Sequence, residues 1–182
     1  FNNDTCGIQS ILTNPPVLTC TNVGIPRSVQ VLARDVNGNS ESGTVAVTAR
    51  DYLAPNVTAQ NITVQLGVDG TFTVAPSAVE ASSADNCGVA TRSLSKSVFN
   101  CADRPLASTI LTVADPSGNP SSDTAFVAVV DNRAPSVTAV SDFAVSLDAS
   151  GAYNVSVGEA VASSADNCAV TSVTLDRTEF SC

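Results

Sequence analysis

The chain has 182 residues, 43% of them apolar but only 4% aromatic, with no Trp, Met or His. Eight Lys and Arg stand against 17 Asp and Glu, a net charge of −9. The singly scattered basic residues exclude a nucleic-acid surface, which needs clustered cations. No run approaches the ~18 apolar residues of a membrane helix, and without His the usual Ser-His-Asp and Cys-His arrangements are absent.

The chain opens with DTCGIQSILTNPPVLTC (4–20). A turn signal, Asn37-Gly38-Asn39, follows, and then a stiff stretch, Asp51-Tyr52-Leu53-Ala54-Pro55. Proline fixes its own φ and pushes its predecessor towards extended conformations, so this stretch reads as a short, stiff linker. Residues 57–66 are rich in β-branched side chains, and Thr71–Val74 alternates polar and apolar, as a half-buried strand does. Asp69-Gly70 is the turn between them. SSADNC (82–87) leads into a cysteine, and DNCGVATRSLSKSVFNC spans 85–101. Strand patterns recur at 109–113 and 125–130, separated by Ser117-Gly118-Asn119. Asp131-Asn132-Arg133-Ala134-Pro135 is a second stiff stretch, and Ser150-Gly151 a further turn. SSADNC returns at 163–168, and the chain closes on DNCAVTSVTLDRTEFSC (166–182).

These elements are copies of one another. Cys6, Cys87 and Cys168 are 81 residues apart, and each is followed 14 residues later by Cys20, Cys101 or Cys182. Gly38-Asn39 answers to Gly118-Asn119, Asp51 to Asp131, Ala54-Pro55 to Ala134-Pro135, and Leu66 and Gly70 to Leu147 and Gly151. Such a period is the signature of a repeat architecture. Strands and turns with no long helical period predict an all-β chain of tandem immunoglobulin-like antiparallel β-sandwich repeats of about 81 residues. The edges fall at the Ala-Pro stretches: a partial repeat over 1–54 (C-terminal half), a complete one over 55–134, and a partial one over 135–182 (N-terminal half). The apolar stock is mostly Val and Ala, so small cores of short side chains are expected.

Evenly spaced cysteine pairs point to disulfides and an oxidising, extracellular setting. Zinc sites favour cysteines two to four apart with a second pair or His nearby, which this spacing does not provide. If each copy works with its own pair, the bridges are Cys6–Cys20, Cys87–Cys101 and Cys168–Cys182. A loop this short contributes roughly 3 kcal/mol in the chain-entropy model.

Three kinds of site are weighed. No glycine-rich phosphate loop is present, and the acids sit once per repeat at turns, unlike the facing pair of a glycosidase; no enzyme is expected. Asp35-x-Asn37-x-Asn39 and Asp115-x-Ser117-x-Asn119 offer alternating oxygens, and Asp51 and Asp131 sit at repeat junctions, where calcium could be held. Calcium wants six to eight oxygens, whereas tight hairpin turns use the same residues; the turn reading is preferred and no cofactor is expected. Asp85-Asn86 and Asp166-Asn167, directly before a cysteine, are read as turns whose side chains bond the backbone. Glycan acceptors are offered by the sequons at Asn3, Asn56, Asn61 and Asn154, and by Thr124 within an Asp-Thr-Ala triplet that resembles a bacterial O-glycosylation motif.

SSADNCGV, FNCAD (99–103), LTVADPSGNPSS (111–122) and VVDNRAPSV (129–137), in that order, resemble a hyalin-type repeat. The resemblance covers essentially the whole chain. It implies an immunoglobulin-like module of large secreted proteins, notably of gliding and environmental bacteria, with a structural or adhesive role and no catalysis. Many such repeats carry a second cysteine pair. Here the corresponding stretches SSDTAF (121–126) and PSVTAV (135–140) have none, so one disulfide per repeat is expected. The expected object is an extended extracellular or cell-surface filament whose partners are copies of itself, joined head-to-tail or as a continuous array, with glycans as a further partner class. The alternative is the stalk of a cell-surface adhesin or the spacer of a larger secreted protein.

Overall fold

A computed structural model describes residues 7–15 and 17–181. It is all-β, with helix confined to single turns. Strands β1 (Ile8–Asn14), β2 (Arg27–Asp35) and β3 (Ser40–Val47) form an antiparallel sheet in that order. Ser10 pairs with Arg34, and Arg27 with Val47. The β2–β3 turn is the expected Asn37-Gly38-Asn39, where Gly38 takes φ +90°, a conformation that favours glycine.

The stretch from 56 to 130 supplies β4 (Asn56–Ala59), β5 (Ile62–Gln65), β6 (Thr71–Thr73), the one-turn helix α1 (Pro76–Val79), β7 (Glu80–Ala84), β8 (Thr91–Leu94), β9 (Val98–Asn100), β10 (Leu106–Ala114) and β11 (Pro120–Val130). The β-branched run at 57–66 divides into β4 and β5 and serves two sheets. β4 pairs antiparallel with β7, whereas β5 pairs parallel with β11, Val64 opposite Val129. At the break, the Gln60 amide donates to Val79 O at 2.8 Å and the Phe126 amide donates to Asn61 Oδ1 at 2.8 Å. The parallel pair departs from the purely antiparallel expectation. The strand order of the larger sheet is β5-β11-β10-β8, and β6 pairs with β9.

β12 (Ser136–Ala139), β13 (Ala152–Asn154), the one-turn helix α2 (Val157–Ala160), β14 (Val161–Ala165) and β15 (Glu179–Ser181) complete the chain. They repeat earlier pairings. Ser136 faces Ala165 as Asn56 faces Ala84, with the same register shift after the third pair. Tyr153 faces Phe180 as Phe72 faces Phe99.

Contacts divide the chain into two compact units whose limits cut across the sequence repeats. Unit 1 holds the described residues through Ala59, with 80–93 and 111–123; unit 2 holds 60–79, 94–110 and the described residues from 124 on. Each unit therefore contains one Ala-Pro junction together with sequence from both sides of it. The core of unit 2 comprises Val64, Leu66, Val74, Val79, Phe99, Ala125, Val127 and Val129; unit 1 buries Val29, Leu111 and Val113. Short side chains dominate, as the composition predicts. Alternation in β10 and β11 turns Thr109, Leu111 and Val113, and Ala125, Val127 and Val129, inward. Buried Thr109 is satisfied: its hydroxyl donates to Lys96 O at 2.8 Å and accepts from the Lys96 amide at 3.2 Å.

Candidate functional site

The cysteines correct the expected pairing. Cys20 is bridged to Cys87 and Cys101 to Cys168, each across 67 residues. Cys87–Cys101 does not form, which excludes the in-copy scheme for these residues, and with it one self-contained disulfide per repeat. Cys6 and Cys182 lie outside the described residues. The reason is geometric. Translation along a repeat allows a cysteine to meet its counterpart within the copy or the first cysteine of the next copy, and both choices leave every copy alike. Cys87 belongs to unit 1 and Cys101 to unit 2, so each finds the cysteine its own unit supplies.

Each bridge is framed by the same local chemistry. In unit 1 the Cys87 amide donates to Asp85 Oδ2 at 2.7 Å. In unit 2 the Cys168 and Ala169 amides donate to Asp166 Oδ1 at 2.9 and 3.2 Å. These are the expected side-chain turns. Short 3-10 turns follow the other cysteines, Cys20–Asn22 and Cys101–Asp103. There the Thr19 amide donates to Asn22 Oδ1 at 2.9 Å and the Asn100 amide to Asp103 Oδ2 at 2.8 Å.

The neighbouring asparagine reaches the junction aspartate. Asn86 Nδ2 donates to Asp51 Oδ1 at 3.4 Å, and Asn167 Nδ2 to Asp131 Oδ1 at 3.2 Å and to Gly67 O at 3.0 Å. In unit 2, Arg104 Nη1 stands 3.7 Å from Asp131 Oδ2.

Among the residues weighed for calcium, Asp35, Asn37 and Asn39 close a hairpin turn on themselves. Asp35 Oδ1 accepts the Asn37 and Asn39 amides at 2.9 and 2.8 Å, and its Oδ2 accepts Asn39 Nδ2 at 2.7 Å. The Asn39 side chain, with these backbone amides, holds the Asp35 carboxyl below its ordinary pKa. Asp115 and Asn119 repeat the turn: the Asn119 amide donates to Asp115 Oδ1 and its Nδ2 to Oδ2, both at 2.8 Å. Asn119 Nδ2 also donates to Asp51 O at 3.1 Å.

Asp115 differs from Asp35 in being only 3% exposed. Burial by itself would raise its pKa, but Asn119 and the turn amides outweigh this and the carboxyl lies below its ordinary value. Asp115 also converges with Asp51 and Asp85, one carboxylate oxygen of each lying within 4.8 Å of the others. Asp51 Oδ2 and Asp85 Oδ1 are buried without a hydrogen-bond partner. Asp51 lines an open cleft of about 460 Å³ with Val23, Tyr52, Ser117 and Asn119. The structure thus brings Asp51, Asp115 and Asn119 together in unit 1 and places Asp131 in unit 2. It adds Asp85, which the sequence assigns to a turn alone; the recurrence of that aspartate at 166 was the available signal.

The glycan candidates Asn56, Asn61, Asn154 and Thr124 are all exposed, and Asn3 lies outside the described residues. No helix among the described residues is long and apolar enough to cross a membrane. No family model matches the chain, and comparison with curated proteins returns no match.

Proposed function

We propose that the chain is a non-catalytic structural repeat protein: a string of immunoglobulin-like, hyalin-type β-sandwich beads that builds an extended extracellular or cell-surface filament. The observation that carries this reading is the pair of disulfides joining successive sequence copies across each Ala-Pro junction. Bridges of this kind form and persist in an oxidising compartment, and each ties one sequence copy to the next inside a compact unit, which a tandem array uses and a self-contained repeat does not.

The sheet β1-β2-β3 adds support. Val45 is 48% exposed, whereas its counterpart Ala125 is fully buried. That face has the pattern of a covered one, and a further repeat or a second copy would supply the cover. Exposed sequons at Asn56, Asn61 and Asn154 are compatible with a glycosylated outer surface.

Negative-stain electron microscopy of unreduced native material tests the proposal. Regular fibres of constant width are expected. Separate flexible strings ending in a distinct head would instead favour the stalk of an adhesin, and compact particles would sink both.

A further inference from the structure

Unit 1 holds a feature that the filament reading does not use: the convergence of Asp51, Asp85 and Asp115. Three carboxylates at this separation repel one another. Two of their oxygens, Asp51 Oδ2 and Asp85 Oδ1, are shielded from solvent and accept no hydrogen bond, although buried polar atoms are nearly always partnered. None of the three makes an ion pair with a described residue, although Arg50 lines the cleft beside Asp51. The ion pairs among the described residues are Arg92–Glu80, Lys96–Asp103 and Arg104–Asp131, and none includes these three acids.

We propose that Asp51, Asp85 and Asp115 bind a calcium ion. The donors are hard oxygens, with no His and with the neighbouring cysteines oxidised, which suits calcium and not zinc. Calcium–oxygen distances of about 2.3–2.6 Å allow two ligands of one ion to stand at most roughly 5 Å apart; the 4.8 Å limit on the three oxygens fits one ion between them.

Each carboxylate is aimed by its own backbone. Asp51 Oδ1 accepts the Leu53 amide at 3.1 Å and Asp85 Oδ2 the Cys87 amide at 2.7 Å, leaving the opposite oxygen free in both cases. Asp115 is held through Asn119, and each of its oxygens keeps a second lone pair. Water from the cleft beside Asp51 completes the shell of six to eight oxygens that calcium takes.

Unit 2 shares one feature, a buried Asp166 Oδ2 without a hydrogen-bond partner, and differs in charge. Asp131 and Asp166 stand at the repeat positions of Asp51 and Asp85, and there Arg104 supplies a positive charge to Asp131. The repeat counterpart of Arg104 in unit 1 is Val23. Arg104 is thus ion-paired with the junction aspartate of unit 2, whereas in unit 1 Arg50 lines the cleft beside Asp51 but makes no ion pair with the three acids, and the proposal is confined to unit 1. The site needs unit 1 alone and holds whether or not the chain assembles into filaments.

The test is calorimetric titration of the full, unreduced chain with CaCl₂ in chelator-stripped buffer, with melting followed in parallel. Asp85→Asn is the main variant, because asparagine still offers an oxygen to the Cys87 amide. Asp35→Asn, in the hairpin without converging acids, is the control. The wild type is expected to bind one ion per chain and to melt higher in millimolar calcium. Asp85→Asn and Asp51→Asn should weaken binding at least about tenfold, while Asp35→Asn leaves it unchanged. In a calcium chelator Asp85→Asn should melt no lower than wild type, because it removes one of three like charges; a merely structural aspartate would give the opposite sign. Absence of heat and of a melting shift at 10 mM calcium, unchanged affinity in Asp85→Asn, or an equal response to MgCl₂ would each overturn the proposal.

Discussion

Gly70 shows how closely a single position can be specified. It takes φ +71°, and a Cβ there would lie 2.3 Å from Asn167 O and 3.1 Å from Cys101 Sγ. A positive φ alone costs a non-glycine residue about 1 kcal/mol, and a backbone oxygen cannot swing aside as a side-chain tip can. Gly70→Ala should therefore lose at least about 2 kcal/mol, read from the urea midpoint of the oxidised protein. Gly118, also at positive φ, has nothing within 4 Å of an added Cβ, so Gly118→Ala should lose only about 1 kcal/mol. Tyr153 and Glu159 make a different residue-scale case. The Tyr153 hydroxyl donates to Glu159 Oε1 at 2.6 Å, and Ser156 donates its amide and hydroxyl to Oε2, both at 2.8 Å. The Tyr153 bond first, then those from Ser156, lower the Glu159 pKa from 4.5 to about 2. A depressed carboxylate stabilises the fold above its unfolded pKa. That contribution is full above about pH 4.5 and fades as the pH falls towards 2. Tyr153→Phe should move the Glu159 titration, followed by NMR, back up towards its ordinary value.

At the scale of elements, the bridges dominate. A loop of 67 residues is worth about 4 kcal/mol in the chain-entropy model, more than the roughly 3 kcal/mol of a 14-residue loop. The double variant Cys20→Ser/Cys87→Ser should lose stability of that order on urea unfolding. Peptide mapping without reduction checks the pairing directly, since trypsin cuts after Arg92 and Lys96 and so parts Cys87 from Cys101. Disulfide-linked peptides should join Cys20 to Cys87 and Cys101 to Cys168. The strands, their turns and the small Val/Ala core were legible in the sequence because alternation and Gly-Asn turn chemistry are local signals. The pairing was not, because a repeat is indifferent to whether a bridge stays within a copy or steps to the next; only the three-dimensional course of the chain decides. The same holds for Asp85. Its turn could be read from neighbours one and two residues away, but its approach to Asp51 and Asp115 depends on strands distant in sequence. The break at Gln60–Asn61 was hidden for the opposite reason: β-branched residues continue on both sides of it, and the division shows only in which strand each half joins.

At the scale of the whole molecule, the two bridges change how the chain answers to force. From residue 20 to residue 168 an unbridged chain has 148 residues to pay out, about 500 Å when drawn straight. With Cys20 tied to Cys87 and Cys101 tied to Cys168, tension bypasses both loops, and only the 14 residues from 87 to 101 can lengthen. That is about 48 Å. Pulled in an optical trap, the oxidised protein should therefore give a short extension and then stiffen, and a reducing agent should release roughly ten times as much length. A chain crosslinked this way can lose its folding under load and still stay close to its original length.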